Sequence, residues 1–493
     1  MNYTSTRGKS GEVLSAAQII KQGLALDGGL FVPESIPALT ENEVQALCKM
    51  SYPERAATVL SKYLSDYTYE ELLADCEKAY SADSFPGGAA PLVKARDGIY
   101  SLELWHGPTA AFKDMALQIM PRLLSRALTK TGEERTALIL VATSGDTGKA
   151  ALEGYKDIDG IKMMVFYPVD GVSRVQKMQM ATQTGNNVSV MAIRGNFDDA
   201  QSGVKKIFSD KDAVAFLDEN AHFFSSANSI NWGRLAPQIV YYVSAYCDLL
   251  NEGVISYGDL INVCVPTGNF GNIFAAYLAK LMGLPIGKLI CASNKNNILT
   301  DFLNTGVYDR NRDFHLTMSP SMDILISSNL ERLLCFTAGK EETAKYMEDL
   351  AAKGVYAVSD DVKAKIGENF KGYFADEAET SATINKYYNE FGYLADTHTA
   401  VALCSADKYV SETGDKTPIV VASTASPYKF AADVCKSLGM EKPADDMDAL
   451  DMLSSFSKTE ISYPLRGLSE REVRFTRVID ACEMLDVVKE YVK

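Results

Sequence analysis

A series of short apolar runs constrains the fold of this chain more than any other feature. The runs are TALILVA, MMVFYP, SVMAI, INVCVP, LICAS and PIVVAS, at residues 136–142, 163–168, 189–193, 261–266, 289–293 and 418–423. A strand that is apolar on both faces fits a parallel sheet covered by helices. Segments between the runs, such as RVQKMQMAT and NIFAAYLAKLMG, have helical spacing of apolar residues. The sequence therefore predicts the α/β class, with open and mainly parallel sheets.

Charge and composition limit the partners of the chain. With 47% hydrophobic and 23% charged residues, the 493-residue chain has the composition of a folded globular protein. A net charge of -15 argues against a general affinity for nucleic acid or an anionic membrane, and leaves room for a local cationic pocket. No stretch approaches the ~20 apolar residues of a membrane helix. We therefore predict a small-molecule substrate, no nucleic acid and no membrane.

Cysteines and histidines give no metal signature. The nine cysteines are widely spaced without a CxxC pair, and the four histidines are scattered. Dispersed cysteines of this kind are typical of a reducing compartment. The first residues also lack the continuous apolar run of a signal peptide. These observations predict a cytoplasmic protein without a metal.

Lys113, in the stretch HGPTAAFKDMALQ (106–118), is the first candidate for chemistry. It follows a Gly-Pro turn and opens an apolar helical segment. In one interpretation it is an ordinary lysine of a first helical turn, with its stem on the core and its amine in water. In the other it is a desolvated amine kept reactive for Schiff-base chemistry. The stretch itself leaves both interpretations open.

Two loops that follow predicted strands have the residues of anion sites. TSGDTG (143–148) offers hydroxyls, glycines and N–H groups at a helix start. It is not a Walker A loop, because Thr143 and Ala150 occupy positions that require glycine and Ser or Thr. PTGNFGN (266–272) exposes successive backbone donors at the positive end of the next helix, which suits a phosphate. An N-capping turn and a tight turn are the respective structural alternatives.

A third loop, STASPYKF (423–430), presents the hydroxyls of Ser423 and Thr424 after a strand, and alone it is an ordinary cap. Ligands of open α/β sheets bind beyond the carboxyl ends of the strands, where all three loops are expected. A candidate reactive lysine, an anion loop, a phosphate loop and a hydroxyl donor together favour an enzyme that uses pyridoxal phosphate.

The sequence also resembles the threonine synthases of the long bacterial and fungal type, within the tryptophan-synthase-like family of pyridoxal phosphate enzymes (fold type II). The resemblance rests on stretches that run in family order along almost the whole chain: YTSTRG (3–8), GLALDGGLFVPE (23–34), HGPTAAFKDMALQ, TSGDTGKAAL, NSINWGRLAPQIVYY (228–242), PTGNFGNIFAAYLAK, ADTHTAVA (395–402) and STASPYKF. It implies two open, mainly parallel α/β domains and a mostly helical N-terminal region.

The resemblance and the turn at SFPGGAAP (84–91) divide the chain into three units. The N-terminal unit comprises residues 1–90. The larger, cofactor-binding α/β domain comprises residues 91–130 and 225–493, with a helical insertion at about 300–395. The smaller α/β domain, residues 131–224, holds the loop for the substrate carboxylate.

Roles for individual residues follow from the same resemblance. Lys113 matches the Schiff-base lysine of the family, and Thr424 matches the hydroxyl that faces the cofactor ring nitrogen. The cofactor phosphate loop comprises Gly268, Asn269, Phe270, Gly271 and Asn272. The substrate-binding candidates are Ser144, Gly145, Asp146 and Thr147 for the α-carboxylate, and Asn231 and Arg234 for the substrate phosphate or the cofactor. Asp146 departs from the asparagine of many relatives in the wider fold family, so its contact with the cofactor hydroxyl is left open.

The implied activity is that of a pyridoxal phosphate-dependent carbon–oxygen lyase, which converts O-phospho-L-homoserine and water to L-threonine and phosphate. Lys113 would act as the general base that removes the Cα proton and later a Cβ proton. One alternative is a phospholyase or a dehydratase of the same fold that gives 2-oxobutyrate. Another is a non-catalytic paralogue. A monomer or a homodimer is expected.

Overall fold

Two mainly parallel sheets form the framework of the protein. The structure is a computed structural model, and it describes residues 1–143, 145–170, 172–441 and 443–493. The strands are β1 Tyr3–Ser5, β2 Phe31–Pro33, β3 Leu92–Arg96, β4 Ile99–Glu103, β5 Thr136–Ala142, β6 Ile161–Pro168, β7 Val188–Arg194, β8 His222–Ser225, β9 Ile261–Pro266, β10 Ile286–Ser293, β11 Val307–Asp309, β12 Val355–Ala357, β13 Phe370–Phe374, β14 Ile419–Ser423 and β15 Val478–Asp480.

Helices cover the sheets and build the N-terminal region. They are α1 Ala16–Gln22, α2 Glu41–Leu47, α3 Tyr52–Tyr63, α4 Tyr69–Ala79, α5 Asp114–Leu117, α6 Met120–Lys130, α7 Asp146–Tyr155, α8 Arg174–Ala181, α9 Phe197–Ser209, α10 Lys211–Glu219, α11 Trp232–Asn251, α12 Gly271–Leu281, α13 Ile298–Thr305, α14 Leu330–Ala338, α15 Lys340–Lys353, α16 Asp360–Asn369, α17 Glu377–Phe391, α18 Thr397–Thr413, α19 Ala431–Ser437, α20 Asp446–Ser457 and α21 Met484–Val492. No described helix is both long enough and apolar enough to cross a bilayer.

The larger sheet has six strands in the order β13-β10-β9-β14-β4-β3. Its strands pair in parallel except for the edge strand β3, which is antiparallel to β4. The smaller sheet has the order β15-β7-β6-β5-β8, and all its pairs are parallel. Each apolar run of the sequence coincides with one of these strands, apart from Pro418, which directly precedes β14, so the predicted α/β class is confirmed.

Two elements differ from the predicted division of the chain. Strand β15 pairs with β7, and α21 packs on the same sheet, so the C-terminal residues join the smaller unit rather than the larger one. Strand β13 lies inside the predicted helical insertion and forms the edge of the larger sheet. Both strands are short and only partly buried, so neither has the continuous apolar run that marks the inner strands.

Helix α11 connects the N-terminal region to the larger sheet. Its residues are buried on all sides over most of its length, which is the pattern of a core helix. Near its start, Trp232 packs against Tyr3 and Tyr63, with ring centroids 5.4 Å and 5.6 Å away. This packing fixes the first turn of α11, where Arg234 lies.

Candidate active site

Lys113 lies in the loop between β4 and α5, directly before the helix. Contacts on both sides hold its backbone. The Phe112 N–H donates to the Thr424 carbonyl oxygen at 2.8 Å. Asp114 is completely buried, and it accepts hydrogen bonds from the N–H and the hydroxyl of Thr109 at 2.8 Å and 2.7 Å. The loop is therefore tied to the 423–430 loop and closed on itself by Asp114.

The amine of Lys113 points into the protein. Its side chain is 11% exposed, and Nζ lies 3.4 Å from Asp146 Oδ2 and 3.3 Å from Ser321 Oγ. Burial lowers the pKa of the amine; Asp146 opposes that shift, whereas Lys429 and Arg234 add to it. The surroundings of Lys113 are those of a desolvated amine rather than of a lysine in a solvated first helical turn.

Asp146, at the start of α7, joins two lysines. Its Oδ1 lies 2.9 Å from Nζ of Lys429, whose side chain is fully buried, and it accepts a hydrogen bond from Gln176 Nε2 at 2.8 Å. Burial alone would raise the pKa of Asp146, but Lys429 and Lys113 hold the pKa of this carboxyl well below its usual range. Asp146 is thus ionised between two cationic side chains.

Some of the hydrogen-bonding groups in the loop before α7 bond to one another. The Thr143 hydroxyl accepts from the N–H groups of Gly145 and Gly148 at 2.9 Å and 3.0 Å. Gly145 has a φ of 138° and lies so close to Gln176 that a Cβ would meet its side chain at 2.4 Å. Thr147, in the first turn, is half-buried. Ser144, predicted to contact the substrate carboxylate, lies outside the described residues.

The 266–272 loop leads from β9 into α12, as predicted. Phe270 has a φ of 61° and turns the chain into the helix. The Gly268 carbonyl oxygen accepts from Ser327 Oγ at 2.7 Å, and the Asn269 carbonyl oxygen accepts from the Asn329 N–H at 3.0 Å. Part of the 300–395 stretch therefore packs directly on this loop.

Asn272 supplies a buried donor at the start of α12. Its Oδ1 accepts hydrogen bonds from the hydroxyls of Tyr241 and Tyr242. Its Nδ2 is buried and has no hydrogen-bond partner among the described residues. Because a buried donor without a partner is costly, an acceptor is expected there, and a phosphate oxygen at a helix N-terminus fits.

Arg234 is a second group that lacks an acceptor. It is 4% exposed, its Nη1 donates to the Ala227 carbonyl oxygen, and its Nε has no partner among the described residues. No described carboxylate forms an ion pair with it, and burial lowers its pKa to about 10. A buried cation in this state fits an anionic ligand.

Asn231, next to it, serves as the N-cap of α11. Its Oδ1 accepts from the Gly233 N–H at 2.9 Å and its Nδ2 donates to the Ile20 carbonyl oxygen at 2.9 Å. The side chain of Asn231 is thus engaged within the protein, where it caps α11.

The contacts of Lys113 bring the three predicted loops together. Asp146 belongs to the first, the backbone of Ser321 lies against Gly268 of the second, and the buried Thr424 of the third bonds to the Lys113 loop. The sequence did not single out Ser321, Gln176 or Lys429. Lys429 lies inside the predicted STASPYKF loop, so its position in the sequence could have indicated that it lies near the site. No sequence pattern indicated Ser321.

Comparisons with known proteins agree with this arrangement. Three family models match the chain: "Threonine synthase N terminus" at residues 2–80, "Pyridoxal-phosphate dependent enzyme" at 84–425, and "Threonine synthase, C-terminal" at 399–492. The fold and the site thus define a pyridoxal-phosphate-dependent enzyme. The similar proteins narrow this class.

The chain is 38% identical over 451 residues to the threonine synthase of Pseudomonas aeruginosa, covering 90% of this chain and 92% of that protein. It is 41% identical to human threonine synthase-like 1 over 86% of this chain, but spans only 58% of the length of that relative. The solved structure of pyridoxal-phosphate-bound threonine synthase from Brucella melitensis superposes with a TM-score of 0.88 at 36% identity, covering 100% of this chain and 98% of that one. The solved structure of yeast threonine synthase superposes with a TM-score of 0.89 at 33% identity, and the coverage of both chains is the same. The chain belongs to the threonine synthase family.

Proposed function

We propose that the protein converts O-phospho-L-homoserine and water to L-threonine and phosphate with bound pyridoxal phosphate. The observation that carries the proposal is the buried amine of Lys113, which lies 3.4 Å from the ionised Asp146 and shares its surroundings with Arg234, a buried cation with no carboxylate partner among the described residues. A lysine with a lowered pKa can serve as nucleophile and base, and a free buried arginine suits a phosphorylated substrate.

The cofactor would be held by groups from three loops. Lys113 would be the covalent partner of its aldehyde. The loop of Gly268, Asn269, Phe270, Gly271 and Asn272 would hold its phosphate through backbone N–H groups and the free Asn272 Nδ2. Thr424, buried beside the Lys113 loop, would face the ring nitrogen. When bound, the cofactor supplies an electron sink that stabilises negative charge on the substrate carbons.

The substrate would lie between α7 and α11. We assign its α-carboxylate to the loop of Ser144, Gly145, Asp146 and Thr147. Thr143 takes the N–H groups of Gly145 and Gly148, which leaves those of Asp146 and Thr147, in the first turn of α7, as the donors for the carboxylate. The negative charge of Asp146 makes backbone N–H groups, not its side chain, the expected donors. Arg234 would bind the substrate phosphate, and Asn231 would fix the helix turn that carries Arg234.

Lys113 would move the protons of the reaction. Once free, its amine can take a proton from Cα of the substrate; it would return that proton to the bound substrate and cofactor, and, neutral again, take one from Cβ. Asp146 then faces the ammonium group that forms, and the charge of Lys429 keeps Asp146 ionised. Burial favours the neutral amine before each transfer, because it disfavours the charged form.

Product analysis tests the proposal. Wild-type protein and Lys113→Ala, both incubated with the cofactor, are given O-phosphohomoserine, and phosphate and amino acids are measured. We expect threonine and phosphate in equal amounts from the wild type and neither from the variant. Phosphate with 2-oxobutyrate would instead assign the phospholyase activity, and no phosphate from cofactor-loaded wild type would refute the substrate.

Two further expectations accompany the proposal. All nine cysteines are free and most are buried, which supports a reducing compartment such as the cytoplasm. A monomer or a homodimer stays a prediction, and sedimentation of the purified protein measures it.

A further inference from the structure

Ser321 contacts the Lys113 amine from the stretch of chain whose role the sequence left open. It lies in a short 3₁₀ turn, Pro320–Met322, between β11 and α14. Its Oγ is 3.3 Å from Lys113 Nζ and 3.3 Å from Asp146 Oδ2. Ser321 and Asp146 are the two described side chains within hydrogen-bond distance of this amine.

A buried histidine holds the backbone of Ser321. The Ser321 N–H donates to His398 Nε2 at 3.1 Å. An imidazole nitrogen that accepts a hydrogen bond has no proton, so His398 has its proton on Nδ1. That nitrogen lies 2.8 Å from Oδ2 of Asp396, which is 1% exposed and also caps α18 through the Thr399 N–H. Asp396 therefore fixes both the tautomer and the position of His398.

A second anchor keeps the turn in place independently of His398. Asn294, directly after β10, donates from Nδ2 to Asp323 Oδ1 at 2.7 Å and to Ser319 Oγ at 3.0 Å. These bonds hold both ends of the turn against the larger sheet. The bond to His398 is thus not needed to fold the turn, and it specifies where Ser321 lies within it.

We propose that Asp396, His398 and Ser321 form a positioning chain that orients the amine of Lys113 for proton transfer. This inference rests on the proposed function. A hydroxyl both donates and accepts, so Ser321 can donate to the neutral amine and accept from the ammonium group without moving its oxygen. This positioning chain ends at Lys113 Nζ, the nitrogen that gains and loses the proton. Each of its hydrogen bonds joins groups that are at least half-buried.

Ser321→Ala tests the chain by removing one oxygen atom. With saturating cofactor, we expect kcat to fall about tenfold, the size of one hydrogen bond to a charged group, while KM changes less than twofold. The second measurement is the pH midpoint of the absorbance change of the bound cofactor. Ser321→Ala removes a hydrogen-bond acceptor and makes the site more apolar, and both changes disfavour the charged form of the nitrogen. The pH midpoint of the absorbance change should therefore fall by about one pH unit. Asp146, Lys429 and Arg234 face this nitrogen and are unchanged in the variant.

Asp396→Asn tests the far end of the chain, because an amide cannot accept from both His398 Nδ1 and the Thr399 N–H without turning its NH2 toward one of them. The midpoint should fall here too, by less than in Ser321→Ala. Ser405→Ala is the matched control: Ser405 is a fully buried serine of α18 whose hydroxyl donates to the Val401 carbonyl oxygen at 2.8 Å. It should leave kcat and the midpoint unchanged.

Unchanged kcat and midpoint in Ser321→Ala would overturn the inference, whatever Asp396→Asn does, since loss of a hydroxyl hardly disturbs folding. Loss of stability in Asp396→Asn with an unchanged midpoint would leave Asp396 a structural cap and also overturn the chain. The midpoint needs no substrate, so it can be read even if O-phosphohomoserine proves to be the wrong substrate. Failure of the proposed function is thereby distinguished from failure of this inference.

Discussion

The two ends of the site differ in charge: one is formed by charged side chains and the other by uncharged hydrogen-bonding groups. The end near Lys113, named here the charged cluster, consists of Lys113, Asp146, Lys429 and Arg234. Burial shifts the pKa values of Lys113, Asp146 and Arg234, and neighbouring charges also act on Lys113 and Asp146. At the 268–272 loop the groups are uncharged. Backbone donors, the Asn272 amide and two tyrosine hydroxyls face one another, and hydrogen bonds alone set the geometry.

The difference follows from what each end must do. In the proposed function a proton is taken up and released at Lys113, so charge there must be adjustable. A phosphate held throughout the reaction needs fixed donors, which a helix start and a buried amide supply without being titrated. Substitutions should therefore act at the charged cluster through ionisation, and at the loop through shape.

The largest effect is expected from breaking the Asp146–Lys429 pair. Asp146→Asn leaves Lys429 buried without a carboxylate, and Lys429→Met leaves Asp146 with Lys113 alone. Asp146→Asn should lower the free energy of unfolding by about 3 kcal/mol, the usual cost of an orphaned buried charge, and Lys429→Met by less, because Asp146 keeps its contact with Lys113. The double variant should lose less than the sum, because it orphans neither. Urea unfolding measures all three.

Arg477→Met is the control for this cycle. It breaks the ion pair with Glu490, in which both side chains are about half exposed or more, and should cost below about 1 kcal/mol. Equal losses at the buried and exposed pairs would contradict the view that the charged cluster depends on buried charge.

Stability should also depend on pH at the Lys113 end. Burial raises the pKa of Asp114 to about 6. A carboxyl whose pKa is raised on folding stabilises the protein below its unfolded pKa of ~3.9, and that contribution is lost as pH rises through its folded pKa. Between pH 4 and pH 7, wild type should therefore lose about 2 kcal/mol relative to Asp114→Asn. Thermal or urea unfolding at several pH values measures the difference.

Asn at this position also loses the acceptor for one Thr109 donor, but that loss is the same at every pH. The exposed Asp83→Asn gives the baseline for removing one acidic group. Parallel pH curves for wild type and Asp114→Asn would mean that Asp114 stays ionised in the folded protein.

Local sequence patterns account for what could be predicted. The inner strands β5, β6, β9 and β14 were predictable because both of their faces are buried and their apolar runs are unbroken. Strand β15 was not, because it has three residues with two of them exposed. It is held by its pairing with β7, a contact that no local pattern encodes.

The site divides in the same way. The loops at 143–148, 266–272 and 423–430 directly follow strands that the sequence predicted, so their position at the sheet edge followed from strand order. Ser321 reaches Asp146 across 175 residues of chain and Lys113 across 208. Contacts of that range arise from tertiary packing and leave no periodic trace in the sequence.

Gly268→Ala tests whether position 268 must be glycine because of the bound cofactor or because of packing against the Ser321 turn. A Cβ at Gly268 would lie 2.8 Å from the Ser321 carbonyl oxygen, which is backbone and cannot rotate away, whereas at Gly271 the nearest atom is the Asn329 amide at 3.4 Å. We expect Gly268→Ala to weaken cofactor binding about tenfold, or about 1.4 kcal/mol, and Gly271→Ala to weaken it less. Titration of cofactor absorbance measures both. Equal losses would show that the cofactor itself, rather than the Ser321 turn, requires the glycine.

The smallest effect is expected at the tyrosines behind the loop. Tyr241 and Tyr242 both donate to Asn272 Oδ1, so Tyr242→Phe leaves one donor and the amide orientation intact. Cofactor affinity should fall only two- to threefold, below the value of one typical hydrogen bond. Removing both hydroxyls frees the amide to rotate, turning its oxygen toward the phosphate, and the loss should then exceed the sum of the single losses. Additive losses would mean that Asn272 is oriented by its helix alone, and the uncharged end of the site would then owe its geometry to backbone rather than to a hydrogen-bonded side chain.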